Sequence, residues 1–544
     1  MEVHLASFNL KSIVCFFCFI SYSIFLSSCS NYKKHVIDTD AATLEDADTE
    51  NYPRTNDSAS KEQDLNSLDE DSIGSDIDNV SNDDCIYVDT TPPQIKSIYP
   101  AKDSENIEVS DNIIFEFSEE MDPKTNSKEN FKIIRIDTGE ELEFRISYIE
   151  NKVILDPVSK IISTEQATSK KGLNTSLLYK VEFSKSLKDL AGNTLDSQFY
   201  SWQFSTADLD FGLYWFGSDG EFEKYIIGKE NRFYDPEKPV MVHAHGWLPF
   251  TVDDDFHWKE NPFIYHDKYC DINTAQFWKT AGYNIAYLNW MQFSDSINLK
   301  AVEEKIWTSD QTGEISYYTR DGSKKYKTEI GIAEHMFNLY KKALKNQINK
   351  NIRVSGHSLG NQVVSAISEK VMESVEKGEI DEILIPRRIT LLDPYWSKFG
   401  KSYLENQTNA EKVKNIIEQL ITKYDTVGEF YKTTIQGGPL VGDENKALKQ
   451  LTANFRVWAD FINIILDPDK QHSYAVAWYF WSLSADINAD NNGFVGANAT
   501  NEEIKSVMNH EKNEFFHWES DGDGNDTNNP TDDTFIRKDG ESSW

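Results

Sequence analysis

The 544-residue chain exceeds one ordinary domain, so two folded domains joined by linkers are expected. Its 39% hydrophobic and 13% aromatic content is enough for large cores and excludes wholesale disorder. A formal net charge of -35 with no basic stripe excludes general attraction to nucleic acid, and no nucleic-acid partner is expected.

At the start of the chain, Lys11 precedes an apolar run, Ile13 to Ile20, that continues through Ile24-Phe25-Leu26. The run is short for a membrane span and reads as a signal peptide over residues 1–29. Leu26-Ser27-Ser28-Cys29 resembles the bacterial lipobox, which implies that Cys29 is lipidated and anchors the mature chain to a membrane. A transmembrane anchor is the alternative. Ser30, where an Asp would signal inner-membrane retention, favours an outer-membrane or surface address. Of five cysteines, Cys15 and Cys18 leave with the signal, so Cys85 and Cys270 either pair or stay free. Residues 30–90 are rich in Asp, Glu, Ser and Asn without apolar period, as in Asp64 to Asp71, and read as a disordered acidic tether. As a flexible coil it spans roughly 40 to 45 Å.

From Thr91-Pro92-Pro93 to residue 206 the chain turns to short alternating runs. These are Ile95 to Pro100, Ile113 to Phe117, Phe131 to Ile136, Val153 to Pro157, Tyr179 to Phe183 and Trp202 to Phe204. Period-two alternation at this spacing predicts an all-β sandwich. Phe117-Ser118-Glu119-Glu120-Met121-Asp122, Lys188-Asp189-Leu190-Ala191-Gly192-Asn193 and Trp202-Gln203-Phe204-Ser205-Thr206 make residues 91–206 resemble the bacterial Ig-like domains of surface-layer proteins and surface enzymes. The resemblance implies a spacer or adhesion module. Met121 and Asp122 read as a strand end and turn rather than a ligand site.

Over residues 207–485, buried-strand runs at Pro239 to Ala244, Tyr283 to Leu288, Ile352 to Ser355 and Arg388 to Leu392 alternate with helical spacing at Ile332 to Tyr340 and Val363 to Ser368. This predicts an α/β domain with a mainly parallel sheet and helices on both faces. Gly356-His357-Ser358-Leu359-Gly360 falls between the strand ending at Ser355 and the helix opening at Asn361, the strand–turn–helix setting of a nucleophile elbow. Ser358 is the candidate nucleophile; a helix N-cap is its bland alternative.

Upstream, His243-Ala244-His245-Gly246-Trp247 follows a predicted strand and resembles the His-Gly oxyanion segment of lipases. The resemblance implies that the amides of Trp247 and Leu359 receive the developing oxyanion, with His245 and Gly246 supporting the loop. A metal site on His243 and His245 lacks an evident third ligand. Arg388 to Pro394 resembles the strand and turn that carry the catalytic Asp of the pancreatic-lipase family, implying Asp393 as the acid, with Asp460 as runner-up. For the base, Asp467 to Tyr474 reads as a polar loop ahead of a helix over Ala475 to Phe480, and matches the lipase layout through His472; His510 and His517 are the alternatives.

The lipase resemblance spans about 235–485 and implies the α/β-hydrolase fold, but that family's disulfides are missing and 249–280 and 396–450 have no counterpart. Aromatic-rich inserts such as Trp258 to His266 read as pocket, lid or core. Residues 486–544 read as an acidic C-terminal segment, where Asn488 to Gly493 and Asp521 to Asp526 look like first halves of calcium loops without the closing Glu. Solvated turns are the first reading there and calcium the second; no cofactor or metal is required. The chain is therefore expected to be an extracytoplasmic serine hydrolase, a lipase or carboxylesterase acting on a lipid or acyl ester through an acyl-serine intermediate. The alternatives are a surface adhesion or binding lipoprotein with an inactive hydrolase scaffold, and an amidase or thioesterase.

Overall fold

The computed structural model describes residues 88–162, 169–252, 260–266, 271–308, 314–328, 330–434, 442–457, 459, 461–462, 467–489, 493–508, 516–520, 530 and 533–539. The signal, nearly all of the tether, Cys29, Cys85, Cys270, Trp258, Asp460, His510 and both acidic stretches Asp490 to Asn492 and Asp521 to Asp526 lie outside these residues.

The first folded part is a sandwich of two four-stranded sheets. One sheet orders Ile95–Tyr99, Ile113–Phe117, Lys152–Pro157 and Phe144–Ile149; the other orders Ser104–Ile107, Ser201–Thr206, Leu178–Phe183 and Phe131–Arg135. Alternate residues point inward, so Phe115, Phe131, Phe183 and Trp202 meet edge-on in the shared core. The Asp189-to-Asn193 motif is a turn: Asn193 donates to the Asp189 carboxylate from its backbone N–H and its side-chain amide, each at 2.8 Å. Asp122 N–H donates to Lys188 O at 2.8 Å, and Met121 is buried.

The second part is built on one twelve-stranded mixed sheet. In chain order its strands are β1 (Gly212–Phe216), β2 (Phe222–Lys224), β3 (Val240–Ala244), β4 (Asn284–Asn289), β5 (Ile352–His357), β6 (Arg388–Leu392), β7 (Val427–Lys432), β8 (Ala453–Arg456), β9 (Ile487–Ala489), β10 (Phe494–Val495), β11 (Phe516–Ser520) and β12 (Thr534–Asp539). They lie in the order β2-β1-β4-β3-β5-β6-β7-β8-β11-β12-β9-β10. From β4 through β11 neighbours run parallel, while β1 and β12 join each end antiparallel.

Helices cover both faces, as parallel strands require. Val240, Val242 and Ala244 of β3 share one core with α1 (Ile332–Ala343), α2 (Gly360–Glu376) and α3 (Asn409–Tyr424). Met241, one residue out of phase, packs on the other side with α4 (Pro468–Trp481) and Trp278. No helix among the described residues is long and apolar enough to cross a membrane.

The acidic region after residue 485 joins this sheet rather than standing apart. Its loop carbonyls also accept from buried guanidinium groups: Arg353 Nη1 donates to Ala497 O at 2.6 Å and Arg388 Nη2 to Ala499 O at 2.6 Å. His517 sits on β11, 3.0 Å from Glu519.

The sandwich is tied to the second part at the short strand Lys160–Ile162. Ile161 N–H donates to Gly220 O at 3.0 Å, Phe222 N–H donates to Ser159 O at 2.9 Å, and Ile161 enters the same core as Tyr214, Phe222 and Ile264. Around it, Arg145, Glu221, Arg232 and Glu223 form a chain of ion pairs. A polar cavity of about 160 Å³ lies at this junction, lined by Asp111, Asp156, Lys224 and Arg232 among others, and no residue around Ser358 borders it. Ile161→Ala is expected to destabilise the protein by about 2–5 kcal/mol, the cost of a fully buried methylene cavity. Denaturant midpoints check this, and a loss below about 1 kcal/mol would mean that the sandwich only rests against its neighbour.

Candidate active site

The site is assembled at the carboxyl ends of β3, β5, β6 and β7. Strand β5 is buried throughout and feeds a turn in which Ser358 has φ 51, a left-handed conformation that a non-glycine residue adopts only when its surroundings enforce it. The turn is enforced from beneath. Ser358 N–H donates to Leu392 O at 3.0 Å, and the Asn361 amide donates to Ser358 O and to Leu392 O, both at 3.0 Å. Helix α2 begins at Gly360, where a Cβ would lie 2.2 Å from Ala244 O; only glycine lets the helix start that close to β3.

Asp393 follows β6, also at positive φ (36), and is almost wholly buried. Its Oδ2 accepts from Thr433 Oγ1 at 2.9 Å and Thr434 Oγ1 at 2.6 Å, and lies 2.9 Å from His472 Nδ1. Burial pushes the carboxyl upward, but the His472 ring, the Thr434 hydroxyl and the Lys432 charge outweigh it and hold it below the usual value. The carboxylate assigns the ring proton to Nδ1, which leaves His472 Nε2 as the basic nitrogen.

His472 lies on α4, not in the loop expected ahead of residue 475. Pro468 occupies the first helical turn, where its fixed φ suits the helix and its missing N–H costs nothing, so the helix begins seven residues early. Among the described residues no hydrogen bond joins Ser358 to His472. Their link runs through His357, whose ring centroid is 4.4 Å from that of His472 and whose Nε2 is 3.1 Å from His472 O.

The loop after β3 closes the site. A Cβ on Gly246 would sit 2.8 Å from Ser358 Cβ, so the loop touches the Ser358 turn directly. Neither the Trp247 nor the Leu359 backbone N–H has an acceptor among the described residues, while the Trp247 indole is pinned to Ser296 O at 2.6 Å. His245 accepts from Trp290 N–H at Nε2 (3.1 Å), so its proton is on Nδ1, 2.9 Å from Gly246 O. Burial lowers its pKa to about 4, which keeps it neutral in this brace. Both nitrogens of His245 are engaged, and His243 Nδ1 lies 2.8 Å from Ser355 Oγ.

Two features are not anticipated by the sequence. The pair Thr433-Thr434 supports Asp393; its signal is its place just after an apolar strand, beside the acid's own turn. Glu260 is buried, accepts from Gly246 N–H at 2.6 Å and lies 2.7 Å from His357 Nδ1. Burial opposes its charge, yet the His357 charge and hydrogen bonding bring its pKa down to about 2. Only its place as an acid among aromatic residues marks it in the sequence.

Comparison with known proteins places one of the two parts. No curated protein sequence matches the chain. Among solved structures, the S-layer protein rSbsC(31-844) is 16% identical over 27% of this chain and 16% of its own, with a TM-score of 0.16. LpqC, a poly(3-hydroxybutyrate) depolymerase from Bordetella parapertussis, is 15% identical over 40% of this chain and 63% of its own, with a TM-score of 0.21. Poly(aspartic acid) hydrolase-1 from Sphingomonas sp. KT-1 is 12% identical over 46% and 74%, with a TM-score of 0.22. At those TM-scores none bears on the chemistry of Ser358. The family model that matches covers residues 89–206, and that part of the chain is a bacterial Ig-like domain.

Proposed function

We propose that the second part is an α/β-hydrolase and that Ser358 is the nucleophile of a carboxylic ester hydrolase, with His472 as general base, Asp393 as the acid that orients it, and the Trp247 and Leu359 amides as oxyanion donors. The observation that carries this reading is the 2.9 Å pairing of His472 Nδ1 with Asp393 beside a serine held at φ 51 between a strand and a helix. In the reaction, Ser358 Oγ attacks the ester carbonyl as His472 Nε2 takes its proton. The two amides receive the oxyanion, and the imidazolium returns the proton to the leaving alcohol. Water then attacks the acyl-serine by the reverse sequence.

An acyl ester suits an exposed aromatic ring on the loop that follows Trp247. Phe250, three residues beyond Trp247, is 69% exposed and held at positive φ by the Asp295 carboxylate, which accepts from the backbone N–H groups of Phe250, Thr251 and Val252. In this proposal the enzyme is exported and lipid-anchored at Cys29, with the Ig-like domain on the membrane side. It uses no metal or cofactor. The adhesion reading with a dead scaffold is disfavoured by the intact Ser358, Asp393 and His472 set.

A fluorophosphonate probe tests the nucleophile: one covalent adduct on Ser358 is expected, and intact protein without it would overturn the hydrolase reading. p-Nitrophenyl esters of rising chain length test the substrate class. Turnover that depends on chain length is expected; none at any length would remove ester hydrolysis and leave amides and thioesters.

A further inference from the structure

Glu260 and His357 are buried acid and base groups that the proton-transfer scheme above does not use. His357 is faced by Glu260, by Asp393 after β6, by His472 on α4 and by His243 and His245 on the β3 segment. Both of its ring nitrogens face oxygens: Nδ1 lies 2.7 Å from Glu260 Oε1, which can only accept once that carboxyl is ionised, and Nε2 lies 3.1 Å from His472 O. A neutral imidazole has one N–H, so two acceptors call for the doubly protonated ring. Glu260 uses its other oxygen on Gly246 N–H at 2.6 Å.

We infer that Glu260 and His357 form an ion-pair clamp, with His357 held as an imidazolium, that joins the oxyanion loop, the nucleophile turn and the helix carrying the base into one unit. Both residues are positioning residues; the inference rests on the hydrolase reading for its kinetic consequence and on the pair's geometry with Glu260 ionised for the charge state.

Each end of the clamp acts on a different part of the reaction. Gly246 is in contact with Ser358, so the Glu260 bond fixes how far the Trp247 amide stands from the oxyanion. The His357 bond holds the carbonyl of His472 itself, and so sets the height of the imidazole on α4. A pair buried this deeply leaves an uncompensated charge when one member is removed, which forces the survivor to lose its charge or the loop to move.

The charge state is read in the wild-type protein itself. In the full chain labelled with 15N-histidine, the His357 signal, assigned by its loss in His357→Gln, is expected to show both nitrogens protonated at pH 7.5 and to become neutral in Glu260→Gln. On p-nitrophenyl esters, Glu260→Gln is expected to lower kcat by about 10- to 100-fold with KM little changed, the scale of a misplacement near 1 Å, and Glu260→Asp to recover part of the loss.

A neutral His357 in the wild type would overturn the clamp whatever the kinetics. A folded Glu260→Gln with full kcat would overturn its positioning role. A doubly protonated His357 in a wild type that takes no fluorophosphonate would instead sink the hydrolase reading and leave the ion pair standing.

Discussion

Ser358→Ala is expected to lower kcat on any ester the protein turns over by about a million-fold, with the thermal midpoint within a few degrees of wild type. The two halves of that expectation come from different atoms. The turn is held through the backbone of Ser358 and through Asn361, none of which the substitution removes. The hydroxyl has no hydrogen bond among the described residues, so its loss deletes the attacking atom and little else. Progress curves with and without fluorophosphonate check the first half and thermal melts the second. Undiminished turnover in the alanine variant would place the chemistry on another residue.

Asp393→Asn is expected to cost about 10⁴-fold in kcat, with Ser358 and His472 both in place. The substituted side chain would present an amide donor or a neutral oxygen to His472 Nδ1, and the Thr433 and Thr434 hydroxyls would compete for that oxygen. The tautomer with its proton on Nε2, which cannot act as a base toward Ser358, would then gain population.

The same substitution has a signature in stability against pH. The folded-state pKa of Asp393 is below its unfolded value, so its contribution is fully present above the unfolded pKa and is lost as pH falls through the folded one. Asp393→Asn should therefore flatten the acid limb of the stability curve. Thermal melts between pH 3 and 7 read this directly, and an unchanged acid limb would count against the ionised, His-paired carboxylate.

What can be read from sequence is what is encoded locally. The approach to Ser358 is legible because Ile352 and Val354 alternate along a short strand and two glycines flank the turn. Asp393 is legible because it follows Ile389, Leu391 and Leu392 at the end of another short strand. The six alternating runs of the Ig-like domain stand out because every second residue is needed for its core.

The less legible features depend on distant partners. Glu260 acquires its meaning from Gly246 and His357, residues that nothing in its own neighbourhood announces. The start of α4 is hidden because Asp467, Asp469 and Lys470 look like loop, although Pro468 is a good first helical residue. The strands after residue 485 are short and set among acidic loops, so their surroundings hide a pairing that β8 supplies. Buried Arg353 and Arg388 look like surface charges until the carbonyls of the 496–499 turn are brought to them.

That last contact bears on how the protein is made. While the ribosome is still adding the segment after Asp486, the strand that leads into Ser358 already exists, but the guanidinium groups beneath it have no carbonyls to receive them and β8 has an open edge. The turn that carries Ser358 is therefore translated well before the sheet under it is finished. Completion of the sheet beneath Ser358 thus waits on the segment after Asp486, a stretch whose composition gives little sign of that role.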